Sequence, residues 1–321
     1  MNYKVSIIIP VHNAENYIID TLASCFAQTY QNIEVIVVEN GSDDNSLLAA
    51  KSIEDQRLQV FEIGPSSASA ARNYGFEKSI GSFVLFLDAD DFLATNLIES
   101  QLNLLLKKPE GWIASCAWAK FKDSVENSEI ISQTVWEVSD PVEWCLQSWM
   151  GGGMMIPACW LIPRQIIKKA GPWDESVNLH DDGEFMCRVL LASKGNLFVN
   201  ETMVYYRQVS NSLSRKNKSL SAAKSTLNVY KSYEESIFRV VNNARVRHAL
   251  AYNYCRFLYE FHPNFPILLE EAQHRLERLG TKDLILVGGD NFTRLTKIIG
   301  FKNALKFRNI SNHIRIFFRV S

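Results

Sequence analysis

From Val5 to Asp91 the chain alternates short apolar runs with stretches of helical spacing. Val5 to Ile9 is a β-branched run closed by Pro10, which predicts a buried first strand. Tyr17, Ile18, Leu22, Cys25 and Phe26 then fall on one face of a helix ending near Ala27. Ile33 to Val38 predicts a second buried strand, and Glu39-Asn40-Gly41-Ser42-Asp43-Asp44 a turn that caps a helix over 45–54. Leu58 to Ile63 reads as a third strand. Gly64-Pro65-Ser66-Ser67 breaks it, leaving Ser67 to cap a helix through Ala68, Ala70, Ala71, Arg72 and Tyr74. Phe83 to Leu87, apolar throughout, is the fourth strand and is of the kind buried on both faces. Strand and helix in this rhythm give βαβ units, hence an α/β fold with a mostly parallel sheet flanked by helices.

Beyond Thr95 the pattern predicts a helix to about Lys107 and a strand over Trp112–Trp118. The stretch 120–160 is irregular and holds Trp136, Trp144, Trp149, Trp160 and the run Gly151-Gly152-Gly153, which reads as a loop near a site. A helix over 163–170 leads through Gly171-Pro172-Trp173-Asp174 to Asp181-Asp182-Gly183-Glu184. There Asp181 and Glu184 resemble a capping box for a helix over 183–191, and Glu184 and Arg188 lie at pairing distance. Short strands at 196–199 and 203–206 follow, then helical pattern from Ser219 to Gly280. The division expected is a domain over 1–218 and a helical extension over 219–321 that ends in a basic amphipathic tail.

In 321 residues, 47% of them hydrophobic, there is ample material for a large core. A net charge of −1 gives no general case for nucleic-acid binding. Six cysteines without C-x-x-C spacing fit a reducing compartment and argue against zinc. No leader pattern precedes the first strand, and no apolar run reaches the ~20 residues of a membrane span. These features point to a cytoplasmic protein, or one held peripherally on the inner face of a membrane. No acidic residue follows Asp290, while Arg294, Lys297, Lys302, Lys306, Arg308, Arg315 and Arg319 alternate with apolar residues from Leu295 to Val320. That tail suits docking on an anionic membrane surface; packing on the rest of the protein is the alternative.

The candidate chemistry begins at Asp88-Ala89-Asp90-Asp91. If the extended chain continues past the fourth strand, Asp88 and Asp90 share a face. Carboxylates at the carboxyl end of a parallel strand stand where open α/β sheets bind ligands, and Mn²⁺ or Mg²⁺ would offset their repulsion. The competing reading is a polar turn in which Asp91 caps the next helix.

Taken in order, Val5-Ser6-Ile7-Ile8-Ile9-Pro10-Val11-His12-Asn13, Ser24-Cys25-Phe26-Ala27-Gln28-Thr29-Tyr30, Glu39-Asn40-Gly41-Ser42, Ala70-Ala71-Arg72-Asn73-Tyr74-Gly75, Asp88-Ala89-Asp90 and Asp181-Asp182-x-Glu184-Phe185-x-x-Arg188 resemble a family two glycosyltransferase of the GT-A fold. The resemblance runs from Val5 to about Ser214. It implies a metal-dependent, inverting transfer from a nucleotide-sugar donor to a glycan or lipid-linked acceptor. Pro10, Val11, Asn13, Glu39 and Asn40 would cradle base and ribose, Arg72 would face the nucleotide or diphosphate, and Asp182 would be the general base. Asp88 would face the ribose or support the cation, and Asp90, across Ala89, would bind it. For Asn13 a turn role, for Arg72 a surface role and for Asp182 a capping role stand as alternatives. The tryptophans of 136–160 would form the acceptor side or simply pack.

Two departures stand out. Relatives usually carry aspartates where this chain has Glu39-Asn40, which makes UDP the first choice of nucleotide but leaves GDP and others open. Where many relatives place a metal- or diphosphate-facing histidine, Val209 stands, so Asp90, Arg215 or Lys216 would carry more of the load. A degenerate binding module without turnover and a nucleotidyltransferase are the rival readings. The latter lacks a glycine-rich, lysine-bearing phosphate loop after the first strand.

Overall fold

The computed structural model describes residues 3–209, 218–281 and 284–309. They form two compact units: residues up to 209 without 149–151, and residues 149–151 with those from 218 onward.

The first unit contains β1 (Val5–Val11), α1 (Ile18–Phe26), β2 (Ile33–Glu39), α2 (Ser46–Lys51), β3 (Leu58–Glu62), α3 (Ala68–Lys78), β4 (Phe83–Phe86), β5 (Phe92–Leu93), α4 (Leu97–Leu106), β6 (Trp112–Phe121), β7 (Glu129–Ile130), α5 (Pro141–Gln147), β8 (Trp160–Pro163), α6 (Arg164–Ala170), α7 (Asp181–Ala192) and β9 (Gly195–Arg207). The sheet runs β3-β2-β1-β4-β8-β6-β9-β5, with β7 on β6. Its first four strands are parallel. The second half is mixed: β8 is antiparallel to β4 and β6, and β6 is parallel to β9. Every residue of β1 and β2 is buried, as their predominantly apolar runs require of central parallel strands. One polar group among them is fully used. Glu34 on β2 accepts from Ser6 Oγ at 2.6 Å and from the Ile80 and Gly81 N–H groups at 2.7 and 2.9 Å, fixing the entry to β4.

On β1 lies α3, held close by small residues. A Cβ on Gly75 would come within 2.5 Å of the Ile8 Cγ2, and Ala71 is fully buried. Ser67 caps this helix through the Ala70 N–H, as predicted.

Several expectations are corrected. Pro10 does not end β1, which continues to Val11 paired with Glu39; proline's fixed φ fits a strand and costs only the donor. The two short strands near 200 are one thirteen-residue strand, broken in register where the partner of Cys116 is Val199 and that of Ala117 is Met203. The polar residues Glu201 and Thr202 at this irregularity are what disguised it. Within 120–160 lies the undetected α5, capped by Asp140 through the Glu143 N–H. Gly151 and Gly152 close a π-type turn over Ser148–Gly152, Gly151 taking φ 93°. Trp136 stacks on Phe198 and Trp144 meets Trp160 edge-on, so these three tryptophans belong to the packing.

The second unit is helical: α8 (Leu220–Phe238), α9 (Ala244–Phe261), α10 (Pro266–Leu279), α11 (Asp290–Ile299) and a helical stretch over 301–309. Trp149 stacks on Tyr233 with ring centroids 4.7 Å apart. Tyr254 on α9 donates to Glu234 on α8, which also pairs with Arg275 on α10 at 3.0 Å, tying the three helices together. The described part of the basic tail is not free. Phe292 packs on Tyr259 of α9, the Arg308 guanidinium covers the same ring at 3.9 Å, and Ala304 and Leu305 are buried. Ile310, Ile314, Arg315, Phe317, Phe318 and Arg319 lie outside the described residues, as do Arg215 and Lys216. All six cysteines are buried free thiols, and no described helix is long and apolar enough to cross a membrane.

Candidate functional site

The carboxyl ends of β1, β2 and β4 carry three loops, of which the first two are tied to one another. Asn13, at φ 53°, donates its N–H to Ser42 Oγ and accepts from the Asp43 N–H at 2.9 Å, so its side chain joins the first loop to the second. Ala14 and Glu15 donate across the same gap to Ser46 and Asp44. Buried Glu39 accepts from the Ser42 N–H. Asn40 donates its N–H to the Val11 carbonyl and its side-chain Nδ2 to the Ser66 carbonyl at 3.0 Å. Its Oδ1 is buried without a partner, an acceptor left open. An unsatisfied buried acceptor costs on the order of 1–3 kcal/mol, and a base bearing an N–H donor would recover it.

The acidic stretch is a turn, not the continued strand expected from alternation. The Asp91 N–H bonds the Asp88 carbonyl at 3.2 Å, and Ala89 and Asp90 form the turn's centre. Thr21 on α1 holds it, its hydroxyl 2.9 Å from both the Ala89 and Asp91 carbonyls. Nor does Asp91 cap the next helix. It is buried, accepts the Arg207 N–H, and leads directly into β5; burial, with Asp90 and Asp88 beside it, pushes its carboxyl well above the usual range. Burial and then Asp88 push Asp90 up to about 6, with Arg207 opposing. Arg207 spends its Nε on the Asp90 carbonyl and its Nη2 on Asp20, its guanidinium lying over Phe121 and Tyr17. Hence no cationic side chain pairs with the Asp90 carboxylate among the described residues. No group of three or more His, Cys, Asp or Glu able to hold a metal occurs among them either. What the turn offers is one or two carboxylates, which matches the way Mg²⁺ is held when phosphate oxygens and water complete its shell. A half-buried acid with no cationic side chain paired to it fits such a cation.

Arg72 is the centre of the arrangement. It is 5% exposed, its Nη2 2.7 Å from Asp88 Oδ1 and its Nη1 2.8 Å from Asp181 Oδ2. Its guanidinium lies 4.5 Å from the Trp173 ring, which stacks on Phe185 of α7. Burial would lower its pKa, but Asp88 and Asp181 outweigh that and hold it above the ordinary value. Ser69, one turn earlier on α3, also donates to Asp181. One guanidinium thus fastens the acidic turn to the start of α7.

Asp181 is the first residue of α7, not its cap. His180 holds the N-cap position in the left-handed region at φ 62°, and Glu184 forks onto Arg188. The capping-box pattern was therefore misread by one position. Asp182, half-buried, accepts the Gly183 N–H at 2.7 Å, while burial and then Asp181 push its carboxyl up to about 6. An acid of that kind is a base poised near neutrality.

Asp88, Asp90, Arg72, Asp181 and Asp182 are brought together in this way; Val209, two residues past β9, contributes no polar group. Arg207, Thr21, Trp173 and Ser69 were missed in the sequence, because each acts on a residue distant in the chain.

The sequence profile of Glycosyl transferase family 2 matches residues 6–171. An uncharacterized glycosyltransferase of Haemophilus influenzae is 43% identical over 106 residues, covering 32% of this chain and 42% of that protein. The UDP-Glc:alpha-D-GlcNAc-diphosphoundecaprenol beta-1,3-glucosyltransferase WfgD of Escherichia coli is 36% identical over 107 residues, 33% of this chain and 42% of its own. The chain thus spans less than half the length of both relatives. Residues 1–349 of S. aureus TarS, solved in complex with UDP-GlcNAc, superpose with a TM-score of 0.70 at 14% identity, covering 97% of this chain and 92% of that one.

Proposed function

Given that the chain belongs to glycosyl transferase family 2, we propose that it transfers one sugar, with inversion, from a UDP-linked donor to a hydroxyl of a glycan or lipid-linked acceptor. The observation that carries this reading is the double ion pair of Arg72, which unites a donor-side acidic turn with a helix start bearing a raised carboxylate. The relative that acts on a diphosphoundecaprenol-linked sugar and the fold relative that holds UDP-GlcNAc support the donor and acceptor classes.

In this mechanism Pro10, Val11 and Asn40 receive the base, with the open Asn40 Oδ1 accepting its imide N–H. Asp90, supported by Asp88, would hold Mn²⁺ or Mg²⁺. Bound there, the cation would offset charge on the departing diphosphate. Asp182 takes the acceptor proton as that oxygen bonds the anomeric carbon, and the carbon–phosphate oxygen bond breaks on the opposite face. Arg72 keeps Asp88 and Asp181 in place while this happens.

The test is release of nucleoside diphosphate from a panel of nucleotide sugars, with and without Mn²⁺. Binding without release would leave only a nucleotide-binding module. Within this frame, Asp90→Ala is expected to abolish the Mn²⁺-dependent part of UDP affinity in calorimetry while the metal-free part persists. Unchanged metal dependence would move the cation elsewhere.

A further inference from the structure

In the second unit, α11 and the helical stretch 301–309 turn one face inward and leave the other bare. Both inner faces close on Tyr259: Phe292 meets its ring at 4.7 Å, Arg308 covers it at 3.9 Å, and Phe301 packs edge-on against Phe292. Thr296, Ala304 and Leu305 complete the buried side. The outer faces follow from helical spacing. On α11 they carry Arg294, Lys297 and Ile298; on the second stretch, Lys302, Lys306 and Phe307. Ile298 is 81% and Phe307 56% exposed, large values for apolar side chains on helices that are otherwise well packed. Only Lys302 is answered by a carboxylate, Glu277 at 3.0 Å. Arg294, Lys297 and Lys306 make no ion pair among the described residues.

We propose that this face docks on an anionic lipid bilayer. An isolated exposed isoleucine or phenylalanine is ordinary. Two of them, Ile298 beside unpaired Arg294 and Lys297 and Phe307 beside unpaired Lys306, form the pattern of an interfacial surface. The apolar tips enter the acyl boundary while lysine and arginine stems reach back to phosphate. Charge complementarity selects the occupant. The face carries four positive charges against one negative, the exposed Asp290 four residues before Arg294, and no acidic residue follows it in the chain. A second copy of this face would be repelled by the first, whereas a sheet of anionic headgroups is attracted to it.

The experiment is co-sedimentation of the full chain with phosphatidylglycerol–phosphatidylcholine vesicles and with vesicles of phosphatidylcholine alone. Pelleting is expected with the former, weakening as salt rises. The exposed triple variant R294Q/K297Q/K306Q is expected to lower the partition coefficient on the order of 100-fold, from about fivefold per basic side chain near such a surface. I298S/F307S is expected to lower it while leaving the salt dependence. Both variants are expected to keep wild-type release of nucleoside diphosphate from a soluble donor. Pelleting of the triple variant equal to wild type would overturn the proposal. So would a dimer in sedimentation equilibrium that I298S/F307S dissolves, with no vesicle binding, since the occupant would then be a second copy.

Discussion

Asp182→Asn is expected to lower kcat by on the order of 10²–10⁴ while leaving donor affinity within a few-fold of wild type. The substitution keeps the shape of the side chain and the oxygen that accepts the Gly183 N–H. What it removes is the site for the acceptor's proton. The structure sharpens this test, because Asp182 lies in the first turn of α7, beyond the N-cap position held by His180. A loss of activity could therefore not be assigned to a lost cap. The pH profile gives a second readout. A base must be ionised, and with burial and Asp181 raising this carboxyl to about 6, kcat is expected to rise through pH 6 and level off above it. The same shift means that the folded protein binds this proton more tightly than the unfolded chain. Its contribution to stability is therefore lost as pH rises from about 4 to about 6. Turnover of the Asn variant within a few-fold of wild type would eliminate Asp182 as the base and turn attention to Asp181.

Arg72→Met is expected to be the most damaging change away from the base. Methionine fills much of the volume and can still lie against Trp173, yet two carboxylates lose their shared cation. Breaking one partner of a buried pair costs about 3–5 kcal/mol. Here Asp88 and Asp181 are a third and a quarter exposed and recover some water. The expected cost is therefore about 2–4 kcal/mol, a fall of roughly 4–16 °C in the melting temperature at the 2–4 °C per kcal/mol of a domain this size. Activity is expected to fall further than stability explains, since α7 is no longer fastened to the acidic turn. Arg72→Lys separates the two effects: it keeps the charge but reaches only one carboxylate well, and is expected to recover stability more than kcat. Melting within 1 °C of wild type for Arg72→Met would show that the two ion pairs are ornamental.

The parallel half of the sheet was legible because β1, β2 and β4 are predominantly apolar runs, and such runs have one stable home. The mixed half was not. In α5, Trp144 and Cys145 face the core while Asp140 and Glu143 make a local cap, and a seven-residue helix shows too few turns for its period to emerge. The acidic turn was legible by charge and not by shape, since nothing local to Asp88 reveals that Thr21 pulls the Ala89 and Asp91 carbonyls into a bend. Arg72 could be picked out as a candidate, but its partners could not, because Asp88 and Asp181 are reached only through the fold. Arg207 was passed over for the same reason: its backbone and side chain serve Asp91 and Asp90, more than a hundred residues earlier.

The bond from Arg72 to Asp181 spans 109 residues, whereas that to Asp88 spans 16. During synthesis the parallel strands and the acidic turn are complete before α7 leaves the ribosome. Until then Arg72 has the Asp88 carboxylate but not that of Asp181, and its Nη1 is unanswered. The arrival of α7 therefore closes the charge balance and brings the proposed base in the same step. On the proposed mechanism, a chain stalled before Asp181 carries the donor-side loops without Asp182 and is expected to release no nucleoside diphosphate.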